Sequence, residues 1–193
     1  MNFLIHGFNV HDPERSVGKL KKYLDNHFMF EYGWRELISV MLLNKRDAKE
    51  LKLIIEACND KAVIFAHSNG CAIAVESAKQ GANIDTLVCI NPALKCNTVF
   101  PDTIKRIIVI HTKHDKATKA ARFFDKIPFI QIFIPNAWGA MGAKGHKVID
   151  KRVKNWDLSA RLDGHSDFFE DDNLEWHMPE LKKWIDSGEV YPY

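Results

Sequence analysis

The sequence has no Cys-x-x-Cys pair. Its four cysteines, Cys58, Cys71, Cys89 and Cys96, are scattered. Three of them sit in apolar runs and read as small buried hydrophobes. A chain of 193 residues can bury enough apolar surface to fold without a disulfide or a structural metal. A reducing, cytoplasmic compartment is the expectation. Long hydrophobic runs are also missing. None approaches the roughly 18 residues of a membrane span, so no membrane insertion is expected. No basic stretch precedes the first apolar run, which argues against a signal peptide. Strong net charge is absent too: 27 Lys and Arg against 25 Asp and Glu leave +2. That argues against a dedicated nucleic-acid binder. No internal repeat, low-complexity tract or linker divides the chain, so one domain over residues 1–193 is expected.

What charge there is lies unevenly. From Lys105 to Lys154 there are 12 basic and 3 acidic residues, and from Asp157 to Tyr193 there are 3 basic and 10 acidic. Two solvated surfaces that balance each other account for this. A basic face that attracts an anionic substrate or partner is the alternative.

Six short runs read as strands: Asn2–Ile5, Phe28–Tyr32, Ala62–Ala66, Thr86–Ile90, Ile107–Ile110 and Phe129–Ile134. They are apolar on both sides, which favours a parallel sheet covered on both faces. Helical spacing appears between them. Pro13–His27 has Asp12 as N-cap and Pro13 at its first position. Arg46–Cys58 carries Leu51, Ile54 and Ile55, and Asn69–Gln80 stops at Gly81. Lys116–Phe124 and Pro179–Ile185 are shorter. Strand alternating with helix predicts an α/β class, a doubly wound, mostly parallel sheet of about six strands with helices on both faces. Residues 135–155 look least regular. Gly139, Gly142 and Gly145 do not have phosphate-loop spacing, because no Lys-Ser/Thr pair follows them at the required distance. A mobile surface loop is expected there.

The stretch "VIFAHSNGCAIAVESA", residues 63–78, reads as strand, abrupt turn, helix, with Ser68 at the turn. Serine at a helix start is often only a cap. Ala66 and Gly70, two residues to either side, are small enough to let strand and helix approach. The pattern A-H-S-N-G resembles the nucleophile elbow G-x-S-x-G, with a mild departure at its first position. A helix that begins just after Ser68 also brings free N–H groups and partial positive charge to the turn.

The opening "FLIHGFNV" is a buried strand followed by His6-Gly7-Phe8. It resembles the oxyanion loop of the α/β-hydrolases. With the elbow it extends the resemblance to that superfamily over nearly the whole chain, in a minimal form. The family's first two strands are missing, and Lys95–Lys105 leaves no room for a substantial cap. The resemblance implies strand order 2-1-3-4-5-6, with the chemistry outside the carboxyl ends of adjacent strands. It implies backbone N–H donors at Phe8 and Asn69 for an oxyanion. It also implies an acid and then a histidine later in the chain. Asp115 stands just past the strand in "RIIVIHTKHDKAT", and His165 lies in "LDGHSDFFE".

Rivals exist for both. His177 is the main alternative to His165, and Asp163 or Asp167 could replace Asp115, although both flank the histidine closely. His67 is too near Ser68 in sequence to reach round as its base, and His6 is expected to brace the oxyanion loop. His111, His114 and Asp115 match no standard metal ligand set, so no metal is expected. His6, Trp138 and Met141 are candidates to line the substrate site. The implied activity is that of a serine hydrolase: Ser68 attacks an acyl carbonyl, His165 carries the proton and Asp115 orients the imidazole. Carboxylester hydrolysis on a small-molecule acyl substrate is the default, with no cofactor. The alternative is a non-catalytic binding protein of the same fold, with Phe8, Trp138 and Met141 as its surface.

Overall fold

The computed structural model describes residues 1–8, 10–33, 37–121 and 138–188. Six strands form one sheet: β1 (Asn2–Ile5), β2 (His27–Phe30), β3 (Val63–His67), β4 (Ile84–Ile90), β5 (Ile104–His111) and β6 (Val153–Asp157). Their order is β2-β1-β3-β4-β5-β6 and every pair is parallel. This is the order that the oxyanion-loop resemblance implied. It sets the carboxyl ends of β1 and β3 side by side, with Ile5 opposite Ala66.

Side chains alternate across a strand, so each central strand feeds two cores. Phe3, Ile5, Ile64, Ala66, Leu87, Cys89, Ile107 and Val109 face one core. There they meet Ala48, Leu51 and Ile55 of helix α1 (Leu37–Ala57) and Ile73, Ala74 and Ala78 of helix α2 (Asn69–Lys79). Leu4, Phe65, Val88, Ile90, Ile108 and Ile110 face the other core. Val17 and Leu20, Phe168 and Phe169, and Leu174, Met178 and Leu181 cover that side. The last three belong to the C-terminal helix. Two short helices, α3 (Lys116–Ala121) and α4 (Met141–Lys144), flank the carboxyl end of the sheet, and helix α5 (Asp171–Ser187) closes the chain. Among the described residues no helix is long and apolar enough to cross a membrane.

Apart from strand ends that shift by up to three residues, the described structure departs from the sequence reading as follows. The helix expected over Pro13–His27 is instead two 3₁₀ segments, Pro13–Arg15 and Val17–Lys22. The expected cap is present, since Asp12 accepts from Glu14 N at 3.1 Å. Ser16 (φ −126°, ψ −110°) then interrupts the spiral. The helix expected from Arg46 begins at Leu37. The last helix begins at Asp171, not Pro179. Proline removes one helical hydrogen bond, but the apolar face of Leu174, Met178 and Leu181 carries the helix through it. The sixth strand is Val153–Asp157, which begins inside the stretch expected to be a loop and runs past its end; the run Phe129–Ile134 lies outside the described residues. Among the described residues "VKNWD" is an edge strand paired only with β5, and its polar residues gave no apolar signal. Finally, residues 138–143 are buried rather than a surface loop. Glycine makes that packing possible: a Cβ at Gly142 would come within 2.5 Å of Asp115 Oδ2 and 2.8 Å of the Asn91 carbonyl carbon.

Candidate active site

β3 ends at His67 and α2 begins at Asn69, which leaves Ser68 alone on the turn. Its backbone has φ 53° and ψ −117°, a conformation that costs a non-glycine residue about 1–3 kcal/mol. The surroundings hold it there. Ser68 N donates to Ile90 O at 3.0 Å, and Ser68 O accepts from Ala93 N at 3.2 Å and from Cys71 N at 3.2 Å. The small residue after the turn is required, because a Cβ at Gly70 would lie 2.6 Å from His6 O. On the other side, a Cβ at Gly7 would lie 3.0 Å from Ser68 Cβ. The His6-Gly7-Phe8 loop therefore packs directly on the serine.

His6 is buried and stacks on Tyr32 with ring centroids 4.2 Å apart. Its Nδ1–H donates to Gly7 O at 2.8 Å, and the Tyr32 hydroxyl donates to His6 O at 3.1 Å. Burial holds the His6 pKa below the ordinary histidine value. These contacts fix the His6 ring against Tyr32 and tie it to the loop backbone.

Asp115 follows β5 and is fully buried. Its Oδ1 accepts from Thr118 N at 2.9 Å, at the start of α3. Its Oδ2 faces His165 Nδ1 at 2.8 Å. A carboxylate can only accept here, so Nδ1 carries the hydrogen and Nε2 is left with a lone pair. The imidazole of His165 lies 4.7 Å, centroid to centroid, from that of His67, the neighbour of Ser68. Among the described residues, the Ser68 hydroxyl makes no hydrogen bond with His165. Such contacts commonly tighten only when substrate binds.

The sequence matches no protein-family model and no curated protein. Solved structures do superpose on it. One is a YdeN-like protein of Pectobacterium atrosepticum, 13% identical, with a TM-score of 0.61 over 97% of this chain and 91% of that one. Another is a Pyrococcus furiosus esterase, 12% identical, TM-score 0.56, covering 96% and 82%. A third is a monoacylglycerol lipase of Paleococcus ferrophilus, 16% identical, TM-score 0.53, covering 97% and 94%. The chain has the α/β-hydrolase fold.

On this fold the predicted residues fall as follows. Ser68, Gly7, Phe8 and Asn69 gather at the ends of β1 and β3, and Asp115 meets His165 there from β5 and the late loop. The rivals are occupied elsewhere. Asp167 Oδ2 accepts from Asp163 N at 3.0 Å and so closes its own loop. His177 is buried in α5 with its ring 5.2 Å from Trp156 and 6.0 Å from Phe168. Met141, expected to line the site, is fully buried in the core. Its N–H donates to Leu94 O, which pulls α4 under the sheet end. Trp138 takes a bridging position. Its indole N–H donates to Asn69 Oδ1 at 3.1 Å, and its ring lies 5.5 Å from that of Phe8.

Several site residues gave no signal in the sequence. Asn44 of α1 exchanges two hydrogen bonds with Asn69, at 3.0 and 3.1 Å. Asn91, just past β4, donates to the carbonyls of Gly164 and His165. These partners are 25 or more residues away along the chain, so no local pattern could announce them. The proline after Asn91 marked only a loop.

Proposed function

We propose that the protein is a serine hydrolase that cleaves carboxylic esters through an acyl-enzyme. The observation that carries this reading is the 2.8 Å contact of His165 Nδ1 with buried Asp115, beside a serine held on a strained strand-to-helix turn. Structures named as an esterase and a lipase share the fold, which agrees with a hydrolase.

In this mechanism His165 Nε2 removes the proton from Ser68 Oγ as the oxygen bonds to the acyl carbon. Asp115 fixes the tautomer and stabilises the imidazolium. Charge collects on the carbonyl oxygen, where the N–H groups of Phe8 and Asn69 receive it; the second sits at the N-terminus of α2. The ester C–O bond breaks and the alcohol leaves with the proton from His165. Water, deprotonated by His165, then attacks the acyl carbon, and Ser68 leaves with its proton restored. Only the chain's own groups are used. A small-molecule acyl substrate and a reducing, cytoplasmic setting complete the reading; no disulfide joins the four cysteines.

The test is labelling with a fluorophosphonate probe. Wild type should label and Ser68→Ala should not. A folded wild type that does not label overturns the proposal.

A further inference from the structure

The carbonyl oxygen of His165 is held by two side-chain donors from adjacent strand ends. His67 Nε2 lies 3.1 Å from it and Asn91 Nδ2 lies 2.7 Å from it. The second hydrogen of Asn91 Nδ2 reaches Gly164 O at 3.3 Å. The sheet register brings the two donors together. His67 and Ile90, the last residues of β3 and β4, are paired neighbours, and Asn91 follows immediately. Asn91 is held in turn, since its N–H donates to Ile110 O at 2.9 Å. Its left-handed backbone (φ 43°) is one that Asn and Asp tolerate better than other residues. The valences match: a carbonyl oxygen has two lone pairs, and each takes one hydrogen.

His67 does more than donate. Its ring packs on the His165 ring at 4.7 Å and edge-on to Phe169 at 5.0 Å. Because its partner is a carbonyl, Nε2 carries the hydrogen. Nδ1 is then a bare acceptor, buried without a partner among the described residues, against Gly7 of the oxyanion loop. Burial, then the proximity of His165, hold its pKa well below the ordinary value. It therefore stays neutral and adds no charge beside His165.

We propose that His67 and Asn91 are positioning residues that jointly clamp the main chain of His165 and so aim its imidazole between Asp115 and Ser68. The proposal rests on the serine-hydrolase reading for its purpose, but its geometry can be tested without turnover. The loop that bears His165 has no sheet of its own to orient it. Without the clamp the imidazole can swing while Asp115 stays buried. A misplacement of about 1 Å near the chemistry lowers rates on the order of a hundredfold.

The experiment reads the His165 Nδ1 proton by low-field proton NMR on the full chain, beside fluorophosphonate labelling rates. Wild type should show one slowly exchanging low-field resonance that Asp115→Asn removes. Asn91→Asp keeps the shape and the backbone preference but takes away the donor. His67→Leu does the same for the ring. Both should shift or exchange-broaden that resonance and slow labelling ten- to a hundredfold. His67→Gln, which keeps an N–H at similar reach, should restore both toward wild type. Near-ultraviolet circular dichroism identifies folded variants. An unchanged resonance in folded Asn91→Asp and His67→Leu overturns the clamp, as does a wild type without the Asp115-dependent resonance. If the resonance responds as described but wild type does not label, the clamp stands and the hydrolase reading fails.

Discussion

His165 Nδ1 and Asp115 Oδ2 are 2.8 Å apart although 50 residues separate them in the chain. Asp115 is fully buried, so its charge is compensated by this contact and by Thr118 N. Replacement by asparagine keeps the shape and the Thr118 bond but lets the imidazole take the other tautomer. Asp115→Asn should therefore leave the fold intact and lower the phosphonylation rate by on the order of 10³–10⁴. Labelling kinetics and a melting curve on the same preparation check this. A melting point near that of wild type with unchanged labelling would remove Asp115 from the mechanism.

Gly142 lies against the same carboxylate. A methyl group there would meet both Asp115 Oδ2 and the Asn91 carbonyl carbon inside van der Waals distance. Because one of these is backbone, the strain is not relieved by a side-chain rotation. Gly142→Ala should destabilise by about 1–3 kcal/mol and also slow labelling, since Asp115 and Asn91 both touch His165. Urea denaturation gives the first quantity and probe labelling the second. Destabilisation without any loss of labelling would show that the packing does not reach the histidine.

The Asn44–Asn69 pair is a buried, reciprocal amide contact. Asn44→Leu leaves the Asn69 amide hydrogens without their acceptor. An unpaired buried polar group costs about 1–3 kcal/mol, which for a chain of this size lowers the melting point by about 2–4 °C per kcal/mol. Asn69 follows the proposed nucleophile, so the labelling rate should fall as well. Differential scanning calorimetry gives the stability change. A melting point unchanged within a degree would mean that water replaces Asn44.

Four buried histidines have pKa values held below the ordinary one: His6, His67, His111 and His177. Burial is the first cause in each. For His67, the charged forms of His165 and His6 lower it further. The unfolded chain then binds more protons than the folded one as pH falls below about 6.5, so stability is present above that pH and is lost below it. Each such histidine contributes a slope of up to about 1.4 kcal/mol per pH unit in that window. Chemical denaturation between pH 7.5 and 5 should show stability falling with acid, and His67→Gln should flatten the slope by up to one proton. A flat profile in wild type would mean that these imidazoles are protonated in place.

The local signals were those that short-range physics writes into consecutive residues. An apolar run, a break and a small-residue helix marked the Ser68 turn. A strand followed by His6-Gly7 marked its neighbour, and β-branched runs marked the central strands buried on both faces. Asp115 and His165 were reachable only through the resemblance that those signals supported. What the chain order could not express was pairing across the fold. Strand β6 buries only Val153 fully and leaves Lys154, Asn155 and Trp156 partly covered and Asp157 exposed, so its residues carry no continuous apolar run. The helix through Pro179 survives because of its buried face, not its propensity. The glycines of 139–145 looked like a loop because their use is close packing against backbone from elsewhere. The carbonyl of His165 meets His67 and Asn91 only because β3 and β4 end side by side. Hydrogen-bond partners 74 and 98 residues apart leave no periodicity in the sequence, and only the folded sheet brings them within reach.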